Sequence, residues 1–283
     1  MRGSLWGCGV LVVMILQGGL PAWAAEDEEA PNTLGASAGL SGLTGLAITA
    51  SAHTLAPWTA TASGAVIYTD QQTPDQQVLE GRAIVGLGLP RRVELTATVP
   101  AVRRSGANTG LGDVRLAGKW RFLDQRESLW PALALAAVAT LPTGQQSKGL
   151  RTVQDYGAEI KLLASAEIDF TPDFYAIGLY FDGGFFLQDS GQPTEDKYGT
   201  FALGAALPIL MLESNPLASP LQVMLEASGT YKRGTEQDIY VFTPSLRYTG
   251  PVTATAGFQY TTFQETGIDD AIGAVIQVSV VFP

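Results

Sequence analysis

The sequence predicts an all-β protein, a transmembrane antiparallel up-and-down β-barrel of about twelve strands, preceded by a signal peptide. About twelve short segments alternate apolar and polar residues with period two, as strands do when one face is apolar and the other is wet. Longer polar connections alternate along the chain with tight turns, as they do at the two ends of an outer-membrane barrel. Aromatic residues gather near the segment ends, where the water–lipid boundaries of such a barrel lie.

Residues 1–24 have the pattern of a secretory signal peptide. Arg2 precedes an apolar core over 10–20, and Ala22-Trp23-Ala24 has the small-x-small form of a cleavage site. An N-terminal anchor would need a longer apolar stretch with a basic flank, whereas residues 26–29 are all acidic. Removal of this segment would also remove Cys8, the only cysteine. We therefore expect an exported chain without a disulfide or a thiolate metal site.

The remaining chain is expected to form a flexible N-terminal lead-in over 25–57 and an outer-membrane barrel over 58–283. Charged residues make up only 16% of the chain, and 32 glycines suit a sheet that curves into a cylinder. The net charge of −10 argues against nucleic acid as a partner. Residues 35–50 are rich in Gly, Ala and Ser, and three placements stay open for them: a flexible lead-in, a periplasmic segment or a piece inside the lumen.

The period-two segments place apolar and charged residues on opposite faces. In the fourth, Leu116 and Trp120 share one face, and Arg115 and Lys119 share the other. An open sheet could not survive in hydrocarbon because its edge amides would lack partners, so the strands are expected to close. The predicted strands are 58–68, 78–89, 93–102, 113–122, 130–142, 155–167, 174–187, 197–208, 220–231, 238–248, 252–263 and 271–282.

Aromatic residues are expected to form one belt at each end of the barrel. The predicted periplasmic belt comprises Trp58, Trp120, Phe122, Trp130, Tyr175, Tyr248 and Phe282. The predicted outer belt comprises Tyr68, Tyr156, Tyr198, Tyr231, Tyr240 and Phe263. Phe282 is also similar to the terminal aromatic that barrel-assembly machinery recognises. Outer-membrane lipid and this machinery are therefore the expected macromolecular partners, and the expected location is the outer membrane.

Eleven charged residues fall on the face opposite the lipid and are the candidate lumen-lining residues. On the lipid face a cation at mid-depth would cost about 2–4 kcal/mol. Two interpretations stay open: a structural network that fills a narrow lumen, or a wet pore whose charges tune selectivity. Phe186, Tyr180, Ile84 and Leu163 are candidate apolar lumen residues for a hydrophobic cargo. The eleven charged residues are Glu80, Arg82, Glu94, Arg115, Lys119, Arg121, Glu159, Lys161, Asp182, Glu226 and Arg247.

One segment resembles a known family of outer-membrane proteins. Residues 110–122 read GLGDVRLAGKWRF, 141–144 read LPTG and 155–157 read DYG. This series resembles the recurring motifs of the family labelled "MetA-pathway of phenol degradation". The resemblance spans residues 77–190 and implies an outer-membrane barrel that passes aromatic compounds. It transfers no functional residue.

Catalytic and metal chemistry find little support in the residues. A Ser–His mechanism needs a histidine beside the serine, and the sole histidine, His53, precedes the first predicted strand. Asp269, Asp270 and Glu265 in an outer loop could bind calcium weakly or simply form a solvated acidic loop. We expect no enzyme, no catalytic or metal residue and no cofactor.

The sequence thus predicts an outer-membrane channel or transporter that passes small organic molecules by passive or facilitated diffusion, with aromatic or hydrophobic compounds as candidates. The alternative is a structural or adhesion barrel with a packed, non-conducting lumen. A barrel hydrolase is the third hypothesis.

Overall fold

The structure, a computed structural model, describes residues 39–40, 42–71, 76–104, 109–125, 130–148, 150, 152–153, 155–171, 175–188, 196–208, 221–232, 238–249, 252–264 and 269–282. Within these ranges it is a closed, antiparallel, all-β barrel, which confirms the predicted fold class. The signal segment 1–24, residues 25–38 and Glu265 lie outside the described residues. Among the described residues, none of the helical segments has the length and hydropathy that a membrane-spanning helix requires.

Thirteen strands are present in the described part of the chain, and twelve of them form the ring. Neighbouring strands of the ring pair antiparallel, with β3 pairing with β5, and β1 also pairs with β13, from Ala60 opposite Phe282 to Gln71 opposite Ala271. This pairing closes the cylinder. The strands are β1 (Ala60–Gln71), β2 (Gln76–Leu89), β3 (Val93–Arg104), β4 (Thr109–Leu111), β5 (Val114–Leu123), β6 (Ala132–Leu141), β7 (Gly157–Thr171), β8 (Tyr175–Gln188), β9 (Asp196–Pro208), β10 (Leu221–Lys232), β11 (Ile239–Tyr248), β12 (Val252–Phe263) and β13 (Ala271–Phe282).

The period-two pattern separates the two faces of every strand in the ring. The outward face carries exposed aliphatic and aromatic side chains, for example Val66, Val85, Leu95, Leu116, Leu135, Ile160, Leu179, Leu203, Leu225, Leu246, Phe258 and Ile276. The inward face carries buried polar side chains, for example Ser63, Thr96, Thr140, Gln222, Thr243 and Gln277. This arrangement is the reverse of a soluble core and is typical of a barrel with lipid outside.

The short strand β4 is a departure from the predicted strands. The predicted strands end at residue 102 and resume at residue 113, whereas Thr109–Leu111 pairs with Ala101–Arg103 of β3. The chain leaves the ladder at Gly112, whose amide donates to the carbonyl of Pro100 over 2.9 Å, and it returns at Val114. The interruption follows from Gly112 and Asp113, because a glycine weakens a strand and marks a local irregularity.

Candidate lumen site

Residues 39–40 and 42–55, here called the N-terminal plug, form a compact coil. The amide of Leu40 donates to the carbonyl of Ala47 over 2.7 Å, and that of Ser51 donates to Thr44 over 2.9 Å. Gly45 pairs with Ala50 in an isolated bridge, so the coil folds back on itself. A Cβ at Gly45 would approach the Thr49 carbonyl oxygen to 2.3 Å, which is why this tight coil needs glycine there.

The plug occupies the lumen, because its contacts reach inward residues around the whole ring. Hydrogen bonds join it to β2, β3, β5, β7, β8, β10 and β11. The side chains of Leu43, Leu46, Ala47, Ala50 and Ala52 have no exposed surface. Of the three placements left open by the sequence, the described part of this segment has the intraluminal one.

The inward carboxylates accept hydrogen bonds from backbone amides of the plug. Glu226 accepts from three consecutive amides, those of residues 47, 48 and 49, over 3.1, 2.8 and 2.7 Å. Glu94 accepts from the amides of residues 44 and 55 over 2.9 and 3.1 Å. Asp182 accepts from the amide of residue 50 over 2.9 Å. Three carboxylates thus satisfy six plug amides, and charge-assisted bonds of this kind are the stronger ones.

The inward bases contact the opposite backbone group, the carbonyl oxygens of the plug. Lys119 Nζ donates to the carbonyls of residues 51 and 53 over 3.2 and 2.5 Å. It also forms a salt bridge with Glu94 over 3.3 Å, so this pair is buried and neutralised. Arg247 donates to the carbonyl of Gly45 over 3.0 Å, and Arg82 donates to that of Leu40 over 2.7 Å. The inward acids therefore bind N–H groups of the plug backbone, and the inward bases bind its C=O groups.

Three plug leucines pack against three different parts of the barrel wall. Leu40 packs with Ala65, Ile67 and Val275, on β1 and β13. Leu43 packs in a second cluster with inward alanines of β5 and β6 and with Leu163 of β7. Leu46 packs in a third with Tyr180, Ala206 and Met224, on β8, β9 and β10. The three leucines are spaced three residues apart and contact different parts of the wall, so the plug supports the barrel from inside.

The other inward charges mostly pair with one another. Arg115 contacts Glu159 over 3.3 Å, and Lys161 lies 3.4 Å from Glu159 and 3.0 Å from Asp182. Arg82 contacts Glu80 over 2.6 Å. Arg115 retains about a third of its side-chain exposure, 33%, so it faces the accessible part of the lumen. This group forms a paired but hydrated wall.

Arg121 belongs to a separate pair near the tight turn between β2 and β3. It lies 3.1 Å from Asp124, which also contacts Arg92. All eleven charged residues predicted to face inward are now placed. Six of them contact the plug: Arg82, Glu94, Lys119, Asp182, Glu226 and Arg247. Of the other five, Arg115, Glu159 and Lys161 pair with one another, Glu80 pairs with Arg82, and Arg121 pairs with Asp124. Their role in lining an open pore stays a prediction.

The four apolar candidates divide into packing residues and one accessible residue. Ile84, Leu163 and Tyr180 are buried. Phe186 is only partly buried and stacks on Tyr198, with ring centroids 6.0 Å apart. Tyr198 therefore contacts an inward residue and is not part of the outward aromatic belt that the sequence predicted. Phe186 is the candidate that could touch a passing solute.

His53 lies at the end of the plug, where the charges of Arg121 and Lys119 act on its imidazole. Its carbonyl accepts from Lys119, and its Nε2 is buried without a hydrogen-bond partner among the described atoms. Burial, followed by the charges of Arg121 and Lys119, lowers the pKa of His53 from 6.5 to about 4. The imidazole is therefore neutral near pH 7 and is surrounded by groups that oppose its protonation.

Asp113 explains why the GLGD and LPTG motifs occur together. Its carboxylate accepts from the amide of Gly144 over 2.7 Å and from the amides of residues 152 and 153 over 2.5 and 2.9 Å. Burial alone would raise the pKa of Asp113, but these bonds and one from the Thr152 hydroxyl together lower it below its ordinary value. Asp113 thus clamps the β6–β7 connection, and Leu150 and Val153 of that connection are buried.

The acidic outer loop shows no metal site within the described residues. No group of three or more His, Cys, Asp or Glu side chains there has the arrangement that a metal ion would need. Asp269 and Asp270 are exposed, and Asp270 accepts a hydrogen bond from the Tyr260 hydroxyl.

Comparison with solved structures identifies the fold. No family model matches the chain, and no curated protein matches it. The COG4313 outer membrane channel from Pseudomonas putida F1 is similar with a TM-score of 0.57 and 12% identity, over 81% of this chain and 97% of that one. The NanC porin is similar with a TM-score of 0.51 and 13% identity, over 77% and 98% of the two chains. The chain therefore has the fold of an outer-membrane β-barrel, here with its own N-terminal plug in the lumen. The resemblance to the phenol-degradation family stays a prediction.

Proposed function

We propose that the protein is an outer-membrane channel that passes small organic molecules by passive or facilitated diffusion, with aromatic or hydrophobic compounds as candidate solutes. One observation carries the proposal. A closed twelve-strand ring has an aliphatic outer surface, and its inner surface is built from charged and hydroxyl groups that water can solvate. A barrel that served only as a scaffold would not need so many ionised groups inside, because burying each one is costly.

The proposed setting follows from the same surfaces. Outer-membrane lipid would cover the aliphatic face, and barrel-assembly machinery would insert the chain. The likeness to an outer membrane channel and to a porin supports this setting at the level of the fold. We assign no catalytic step, since His53, the one histidine of the chain, lies among bases.

Reconstitution of the full chain into planar bilayers and liposomes tests the proposal. We expect discrete conductance and flux of small organic solutes. Arg115→Glu should shift ion selectivity toward cations, because Arg115 faces the accessible lumen. Arg103→Glu is the matched control, since Arg103 is exposed on the outward register of β3. Absence of both conductance and solute flux, in the full chain and in a Glu226→Gln chain whose plug docking is weakened, would remove the channel proposal.

A structural barrel with a packed, non-conducting lumen is the second candidate function. The plug favours it directly, because plug leucines and backbone groups fill the middle of the lumen. The same bilayer experiment separates the two candidates, because a packed barrel gives neither current nor flux. A parallel assay of cell adhesion would then become the informative measurement.

A further inference from the structure

The plug has an internal repeat that matches its seat, which is the set of inward barrel residues that contact the plug. Residues 39–46 read GLSGLTGL, in which a glycine–leucine pair recurs every third residue. The three leucines are those that occupy the three wall clusters, one leucine to each cluster. Period three belongs to neither an α-helix nor a β-strand, and residues 39–40 and 42–46 form a coil, so no regular element accounts for this repeat.

The seat recognises the plug mainly through groups that any peptide carries. Glu94, Asp182 and Glu226 bind backbone amides, while Lys119 and Arg247 bind backbone carbonyls. The seat therefore selects among peptide side chains at the leucine positions of the plug and through the close packing of the residues between these leucines. A Cβ at Gly204 would lie 2.5 Å from Leu46 Cδ1, so even the wall is shaped to the plug.

We propose that the lumen is a peptide-binding site for segments with leucine at every third position between small residues, and that the plug is its resident, exchangeable ligand. The connection between the plug and the barrel is accessible. The chain between the plug and β1 passes through Pro57 and Trp58, and both side chains are exposed. The consequence that departure of the plug opens the pore rests on the proposed channel function, whereas the binding site itself does not.

The test uses the full chain, so that folding occurs with the plug in place. A protease site is inserted between Pro57 and Trp58, the folded barrel is cut, and a labelled peptide of residues 39–57 is added in excess. We expect saturable binding with release of the resident plug. A Leu43→Ala peptide should bind about 10- to 100-fold more weakly, because burial of a leucine side chain contributes about that factor. A scrambled peptide of the same composition should not bind saturably.

A second variant gives an independent reading without cleavage. The full chain carrying Leu40→Asn, Leu43→Asn and Leu46→Asn has a weakened plug of its own and should accept the labelled parent peptide. Heat-modifiable migration in gels verifies that each barrel is folded. Failure of the parent peptide to bind either folded barrel would overturn the inference, as would equal binding of the parent and Leu43→Ala peptides.

Conductance measurements on the cut barrel distinguish the proposed peptide-binding site from the proposed channel function. A cut barrel that conducts and is blocked by the added peptide supports both the peptide site and the channel. Saturable, leucine-dependent binding to a barrel that never conducts upholds the peptide site and refutes the channel. Conductance without peptide binding upholds the channel and refutes the peptide site.

Discussion

Glu226→Gln is the sharpest single test of how the plug is held. The Glu226 side chain is buried, with 1% exposure, and its two oxygens accept the amides of residues 47, 48 and 49. An amide of the same size retains one acceptor oxygen and turns the other position into a donor. That donor would face a backbone amide of the plug, so at least one bond is replaced by a repulsive contact.

The magnitude follows from the bonds that are lost. Each hydrogen bond to a charged group contributes about 1.5–3 kcal/mol. The glutamine retains most bonds when its oxygen accepts the amides of residues 48 and 49, so the bond from residue 47 is the one that is lost. We therefore expect plug docking to weaken by at least about 1.5–3 kcal/mol, which is about a 10- to 10²-fold shift toward the undocked plug. The electrostatic attraction between Glu226 and Arg247 is lost as well, so the lower figure is the cautious one.

Hydrogen exchange measured by mass spectrometry on the reconstituted barrel provides the assay. Exchange at residues 47–49 should accelerate by at least about 10-fold, and the barrel strands should stay protected. Ser63→Ala is the matched control, because Ser63 is inward and buried but bonds Ser279. Unchanged protection at residues 47–49 in the Glu226→Gln chain would refute the assignment of Glu226 as the holder of these amides.

Four further predictions follow from the geometry. Leu116→Arg should impair assembly by about 2–4 kcal/mol because Leu116 is exposed on the outward face, whereas inward Thr253→Arg should be tolerated, as heat-modifiable gels would report. Gly204→Leu should displace the plug, seen as faster exchange there, because even a Cβ at this position crowds Leu46. Asp113→Asn should make the β6–β7 connection protease-sensitive at neutral pH; the lowered pKa of Asp113 means that its contribution is present above the unfolded pKa and is lost as pH falls through the folded one. Docking of the plug lowers the pKa of His53 from 6.5 to about 4, so between these pH values the undocked plug binds a proton that the docked plug does not. Docking should therefore weaken by up to about 3 kcal/mol as the pH falls from 6.5 to 4. His53→Asn should abolish this pH dependence of hydrogen exchange after correction for intrinsic exchange rates.

Each of these predictions has a contrary outcome. Equal damage from the two arginine substitutions would show that the facing of the strands is misassigned. If the Gly204→Leu chain kept the native hydrogen-exchange protection of the plug, the barrel wall would accommodate the larger side chain without displacing the plug. If the Asp113→Asn chain were cleaved no faster than the parent chain, the role of Asp113 as a clamp would be refuted. If His53→Asn left the pH dependence of plug exchange unchanged, the acid sensitivity would belong to the carboxylates.

The fold was predictable because its signal is local. Each strand separates lipid from lumen, so a period-two pattern appears in the residues themselves, as Leu116 and Lys119 of β5 illustrate. The inward facing of the charges was predictable for the same reason. Strand β4 was missed because Gly112 and Asp113 break the alternation, and only the pairing with β3 reveals the strand.

The binding partner of the inward charges was not predictable in this way. Glu226 binds backbone amides of residues 47–49, and a backbone amide has no letter in the sequence. The separation between the partners, more than 170 residues, also places this contact beyond any local pattern. The glycine–leucine triplets were the available signal, but a period of three matches neither an α-helix nor a β-strand and so did not predict the coil by itself.

The polar character of the seat bears on whether the plug can leave. If hydrocarbon alone held the plug, departure would expose apolar wall on every side, and the cost would scale with that area. Here a large share of the seat is ionised, and Glu94, Lys119, Glu226 and Arg247 would be solvated by the water that replaces the plug. Only the three leucine pockets lose burial outright. The same side chains can therefore form a network of paired charges while the plug is docked and line a wet pore after it has left. Both states are accessible because the charges form hydrogen bonds with peptide groups in the first and with water in the second.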